Sequence, residues 1–192
     1  MDGSIFCKTL SLFFACVLVA GCEHVKVASS QPASERIQIR NNCVSLLYDL
    51  LNDEKHVGKL LLIKRDRKEL HDLIKRISAA SAAGAARLEE FAKRDPTIEL
   101  RAMALPPGEQ AVRKAISRAK EKELLAASGA DFEFKLLLSQ SGASNYAAHL
   151  ARVAADNSSD PDQSRELAAL SAEMHRLHDE IIALVRSGRP NP

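Results

Sequence analysis

The strongest constraint on this chain lies near its C-terminus. Leu167, Leu170, Met174, Leu177, Ile181 and Leu184 recur at spacings of 3, 4, 3, 4 and 3. Such a row lines one face of a helix, and an apolar face of that length is stable only against other helices. The start of this helix is marked as well. Asp160 is placed to cap it, Pro161 falls at the first helical position, where its missing N–H costs nothing, and Gln163 completes a capping box. Gly188 and Pro190 mark its end.

The same period runs upstream. Cys43, Leu46, Leu47, Leu50, Leu51, Val57, Leu60 and Leu61 predict a first helix from Arg36, with Gly58 as a bend or a point of close approach. A turn is expected at Arg65-Asp66-Arg67. A second helix carries Leu70, Leu73, Ile74, Ile77, Ser81, Gly84, Leu88 and Phe91. Its small-residue middle, Ser78 to Ala86, is suited to close approach of another helix backbone. Asp95-Pro96 ends it, because the residue before proline is pushed out of the α region. Residues 95–108 form a connection.

A third helix over 109–128 presents Val112, Ile116, Ala119 and Leu124-Leu125, and Gly129 stops it. Asp131 is expected to cap a fourth helix with Phe132, Leu136, Ala143, Ala147, Leu150 and Ala154 on one stripe, where Gln140 falls too. Asn157-Ser158-Ser159 makes a turn. No stretch alternates as a strand would. The fold class expected is all-α: a four-helix bundle of four to five helices in one domain, residues 36–192.

The 27 basic and 25 acidic side chains leave a net charge of +2, aromatics are 4% and Trp is absent. A nucleic-acid binder would show a basic excess or aromatic stacking platforms, so that class is excluded. The basic stretch Lys64, Arg65, Arg67, Lys68, Lys75, Arg76 is interleaved with Asp66, Glu69 and Asp72 and reads as a solvated face.

The N-terminus has a different character. Lys8 is followed by an apolar run from Leu10 to Ala20. As a helix this run would reach about 17 Å, at about 1.5 Å per residue, against a bilayer core of about 30 Å. It therefore has the length of a signal segment rather than a span. It ends in Val19-Ala20-Gly21-Cys22, which resembles the lipobox of bacterial lipoproteins: an aliphatic residue, two small residues, then the cysteine that receives lipid. The resemblance implies a signal peptide over 1–21, cleavage between Gly21 and Cys22, and acyl chains such as palmitate on Cys22. Two or more chains anchor a protein stably. The protein would then stand in the cell envelope facing the periplasm, and Glu23 tips the expectation towards the outer membrane. Residues 23–35, rich in Ser and Ala, read as a flexible tether after the lipidated cysteine. Cys7 and Cys16 fall in the signal segment, so Cys43 is left without an internal disulfide partner and is expected as a packed thiol.

Phe91-Ala92-Lys93, Ser128-Gly129-Ala130-Asp131-Phe132, Gln140 and His149, set in amphipathic helices behind an export signal, resemble the exported ferritin-like bundles of domain-of-unknown-function family 4142. The resemblance implies a four-helix core and carries over no catalytic residue. Ferritin-like di-metal proteins use Glu-x-x-His pairs. Here Glu54, Glu69 and Glu173 are followed at that spacing by Val57, Asp72 and Arg176, so the motif is missing at all three.

The candidate metal ligands are His175, His178 and Asp179 on the last helix, with Glu173 beside them and His71 on the second. Imidazole with carboxylate suits zinc, copper or iron. The apolar seam through Met174, Leu177 and Ile181 places His175 outside and His178 on the flank. His56 and His149 are weighed in the same way, at the edge of a core or in solvent. No nucleophile elbow, Cys–His pair or phosphate-binding glycine loop is present. The sequence thus predicts no enzyme and no resident cofactor. It predicts a membrane-anchored structural or interaction module with an envelope protein as partner. The alternative is a metal-binding, ferritin-like protein in envelope metal handling or oxidative stress.

Overall fold

Pro32 opens the first helix. Its carbonyl accepts the N–H groups of Glu35 (3.0 Å) and Arg36 (3.2 Å), and the helix α1 runs Ala33–Glu54. The computed structural model describes residues 32–62, 67–102 and 105–187, within a compact unit spanning Gln31–Pro192. The signal segment, Cys22, most of the expected tether, the turn at Arg65-Asp66 and the stop at Gly188 and Pro190 lie outside the described residues. The tether was expected to reach residue 35, but its last three residues are already helical.

The remaining helices are α2, Lys68–Arg94; α3, Pro107–Ala126; α4, Gly129–Asn157; and α5, Pro161–Ser187. The fold is an all-α bundle. Four helices close a ring in which α1 meets α2, α2 meets α5, α5 meets α4 and α4 meets α1. Every neighbour in the ring is antiparallel. Tyr48 bonds Glu89 while Lys55 meets Ser78; Arg76 pairs with Glu180 while Arg94 reaches Glu166; Ser171 bonds Ala148 while Ser164 bonds Ala155; Gln140 bonds Glu54 while Arg36 bonds Asp156. It follows that α2 and α4 run in the same direction across the ring. The chain must therefore travel back before α4 can begin. At about 1.5 Å per residue the 20 residues of α3 cover about 30 Å, and α3 is that return stroke.

The apolar stripes expected of α2 and α5 are buried from Leu70 to Phe91 and from Leu167 to Ile181. Phe132, Leu136, Ala147, Leu150 and Ala154 of α4 are buried too, and Ala143 is half-buried. Each fully enclosed Leu, Ile, Phe or Met contributes about 1.5–3 kcal/mol by leaving water.

Several local expectations are corrected. The first helix ends at Glu54, before Gly58, and Val57–Leu62 form a 3₁₀ segment instead. Ser78 Oγ donates to the Lys55 carbonyl at this corner, and Gly58 lies close against Ser78, where a Cβ would sit 3.6 Å from Oγ. The small residues of α2 do not bring two backbones together at Gly84. The room is filled by leucines: a Cβ on Gly84 would lie 2.9 Å from Leu51 Cδ1 and 3.1 Å from Leu170 Cδ1.

Asp131 is not a cap. Ser128 is the N-cap residue of α4, and Asp131 lies in the first turn, paired with Lys135 at 2.9 Å. Gly129, at φ +55°, supplies the left-handed kink that separates α3 from α4. Asp160 caps α5 as expected, its Oδ1 accepting the N–H of Asp162 at 2.9 Å. Gln163 is drawn away from the box: its Oε1 accepts from Ser158 Oγ (2.8 Å) and from Arg40 (3.4 Å).

The largest departure is α3. Its stripe is not buried. Val112 is 54% exposed and Ile116 49%, and Leu124 is the one buried residue of the helix. The periodicity is real, but Val112 and Ile116 stay exposed among the described residues. The main packing partner of α3 among the described residues is α4.

Candidate functional site

The histidines were the sharpest chemical candidates. His178 is half-buried on α5, with Nδ1 3.1 Å from the Ser141 carbonyl oxygen and 3.3 Å from Ser141 Oγ. A carbonyl only accepts, so Nδ1 carries the proton and the ring is held against α4. His175 is exposed and turns to α4 as well. Its ring centre lies 5.5 Å from that of His149, with the planes at 76°. Asp179 is exposed on α5, and His71 is half-buried on α2. Among the described residues, no group of three or more His, Cys, Asp or Glu side chains is arranged to hold a metal ion. His175, His178, Asp179 and His71 are thus not brought together as one ligand set. The pair that does form, His149 with His175, spans two helices and has no signature in sequence spacing.

Two polar clusters sit inside the bundle. At one end Arg40 of α1, only 4% exposed, pairs with Asp95 at 2.8 Å. The same guanidinium donates to Asn41 Oδ1 (2.9 Å), Thr97 Oγ1 (2.9 Å) and Gln163 Oε1 (3.4 Å). Asn41 also donates to the Thr97 carbonyl (2.6 Å), and Ser45 to the Leu100 carbonyl (3.1 Å). The loop after α2 is therefore pinned to α1 and to the start of α5. Partial desolvation pushes the Asp95 carboxyl up, but hydrogen bonds from Thr97 and the charge of Arg40 outweigh it and hold it below the usual carboxylate range. In sequence Arg40 looks like another surface cation. Its spacing to Val44, Leu47 and Leu51 (4, 3 and 4) was the signal that it lies on the buried face.

The second cluster joins α1 to α4. Gln140 Nε2 donates to Glu54 Oε2 at 2.7 Å, and Gln140 Oε1 is buried with no hydrogen-bond partner among the described residues. Burial pushes the Glu54 carboxyl up; Gln140 and Lys120 pull it back only in part. Cys43 is half-buried against the core, and burial pushes its thiol up, which fits the packed thiol expected from sequence.

Shallow clefts open on the surface of the described residues. One, of about 450 Å³, lies among Tyr48, Asp49, Asn52 and Lys55 and the Leu100-Arg101 loop. Another, of about 390 Å³, has Leu137, Leu184 and Val185 as its floor, Phe134 as a wall and the Arg67–Glu133 ion pair (2.7 Å) on its rim.

The exposed apolar side chains are concentrated on α3 and α4. Phe134 and Leu138 are 52% and 62% exposed, and they begin a row of four-residue steps on α4 that passes Gly142 and reaches Tyr146. At Tyr146 the row meets α3: the Arg113 guanidinium lies 5.5 Å from the ring centre and 3.3 Å from Oη. Val112 and Ile116 follow on α3 itself. Lys114, Arg118 and Lys122 form a parallel, exposed basic row there. No helix among the described residues is long and apolar enough to cross a membrane. Compared with protein-family models, curated proteins and solved structures, the chain finds no match.

Proposed function

We propose that this chain is a lipid-anchored envelope protein whose bundle is a non-enzymatic interaction module, with the α3–α4 face as its contact surface. The observation that carries the module is the unburied apolar row: Val112 and Ile116 on α3 with Phe134 and Leu138 on α4. Single exposed apolar residues need no explanation, but a run of them on two adjoining helices is what a recessed partner site requires. The anchor rests on the Val19-Ala20-Gly21-Cys22 motif and the short apolar run before it. Glu23 favours the outer membrane, facing the periplasm, and the likeness to exported ferritin-like bundles agrees with an exported location.

Two measurements test the two halves separately. Cys22→Ala is expected to stall processing or release the protein from membranes; a variant that still fractionates as mature membrane protein removes the anchor. A photo-crosslinking residue at Ile116 or Leu138 is expected to give one discrete adduct in cells, absent when it is placed at Arg87 of α2. Equal adducts from all three positions remove the α3–α4 surface.

A further inference from the structure

The His149–His175 pair is an arrangement that neither the fold nor the proposed contact surface uses. Each ring comes from a different helix, and both are exposed at the solvent edge of the α4–α5 seam. Neither ring supports the core, which is closed beneath them by Ala148, Ser171 and Met174. Ser171 Oγ donates to the Ala148 carbonyl at 2.8 Å and locks the two backbones that carry the pair. The seam thus sets how far apart the two backbones stand, while each exposed ring turns about its own χ1 and χ2.

The separation of the ring centres has a chemical meaning. A zinc-like ion bonded to one nitrogen of each ring at about 2.0–2.1 Å lies about 3.2 Å from each ring centre, and a tetrahedral angle at the ion then sets the centres about 5.2 Å apart. The observed value is 5.5 Å. The rings stand edge to face at 76°, and a metal–nitrogen bond lies in the plane of its own ring, so one ring must turn about its χ2 to bring a nitrogen of each to one ion. We propose that His149 and His175 form a two-imidazole site for a first-row divalent transition ion, with water in the remaining positions. Neutral imidazole suits Zn²⁺, Ni²⁺ and Cu²⁺, and Cu²⁺ binds such nitrogens most tightly. With two protein ligands the ion is exchangeable, and it clips α4 to α5 from outside. This differs from the ligand set expected from sequence, because His178 is occupied by Ser141 and Asp179 is not gathered with the pair.

The test uses the full chain, purified without a polyhistidine tag and titrated with Cu²⁺ in a non-coordinating buffer. Wild type and His178→Ala are expected to hold one ion per chain with two nitrogen ligands in the electron paramagnetic resonance spectrum. His149→Ala and His175→Ala should each weaken binding about a hundredfold, because loss of one ligand removes the gain from two-point attachment. Both rings are exposed, so these variants keep the bundle, which circular dichroism checks. An edge-to-face ring contact only, with no ion held by wild type or with equal affinity in His149→Ala and His175→Ala, overturns the site. Loss of the ion in His178→Ala overturns it as well, by placing the ligands along α5 alone.

Discussion

Arg40 and Asp95 lie 2.8 Å apart, one enclosed and the other part-exposed, and through them α1 holds the end of α2. A buried cation costs free energy unless it is paired and hydrogen-bonded, and here the guanidinium has Asp95, Asn41, Thr97 and Gln163. Arg40→Ala removes the donor to all of them and is expected to destabilise the bundle by about 3 kcal/mol. Chemical denaturation of the variant beside wild type measures this. A loss under about 1 kcal/mol, the size of an exposed pair, would show that the cluster is ornamental.

Part of the acidic limb of stability should belong to Asp95. Its folded pKa lies below the ordinary value of 3.8, so its contribution is present above that value and is lost as the pH falls through the folded pKa. In Asp95→Asn this part of the acid dependence should vanish and overall stability should drop. Thermal melts from pH 2 to 6 read both effects.

Glu54 has the opposite sign. Its folded pKa is raised above 4.5, so the stability linked to its proton is present below that value and is lost as the pH rises through the folded pKa. Glu54→Gln removes the charge and also supplies a donor to the orphaned Gln140 Oε1, closing a two-bond amide pair. The variant is expected to be more stable at pH 7 by about 1 kcal/mol, or about 2–4 °C in Tm, and to lose the benefit in acid. An unchanged or lower Tm at pH 7 would mean that water already serves Gln140.

Two glycines give a paired experiment. Gly84→Val drives branched carbon into Leu51 and Leu170, which stand 2.9 and 3.1 Å from even a Cβ, and should cost about 2 kcal/mol. Gly142, in the middle of α4, has nothing within 4 Å of that position. Gly142→Ala should gain about 0.5–1 kcal/mol from helix propensity alone. Equal effects at the two sites would contradict the packing described around Gly84.

The exposed stripe of α3 separates stability from association. Val112→Lys with Ile116→Lys should leave folding within about 0.5 kcal/mol of wild type, because neither side chain is buried. The crosslink from Leu138 should disappear in the same variant. Unfolding of the double variant would show that α3 is part of the core.

The helices were legible because burial writes a 3.6-residue period, and nearly every residue named from the α2 and α5 stripes is enclosed. The same period gave the wrong environment for Val112 and Ile116. An amphipathic stripe shows that a helix has something to cover, and does not say whether the cover lies within the chain. Gln140 was visible on its stripe, but its partner Glu54 is 86 residues away and no local pattern joins them. His175 was singled out for its neighbours along α5, yet the residue it meets is His149, across the seam. The capping box failed at Gln163 because its Oε1 takes a donor from the preceding turn, Ser158, at 2.8 Å and a second from distant Arg40 at 3.4 Å.

The direction of travel through the ring has a kinetic consequence. The α4–α5 contacts join residues 9 to 37 apart in sequence, whereas α1 meets α4 across 86 to 120 residues. Loop-closure entropy rises with that separation. The hairpins α1–α2 and α4–α5 should therefore assemble early and almost independently, with the rate-limiting step being their union across the long excursion through α3. Shortening that excursion below the length of the bundle would leave two sound halves unable to meet.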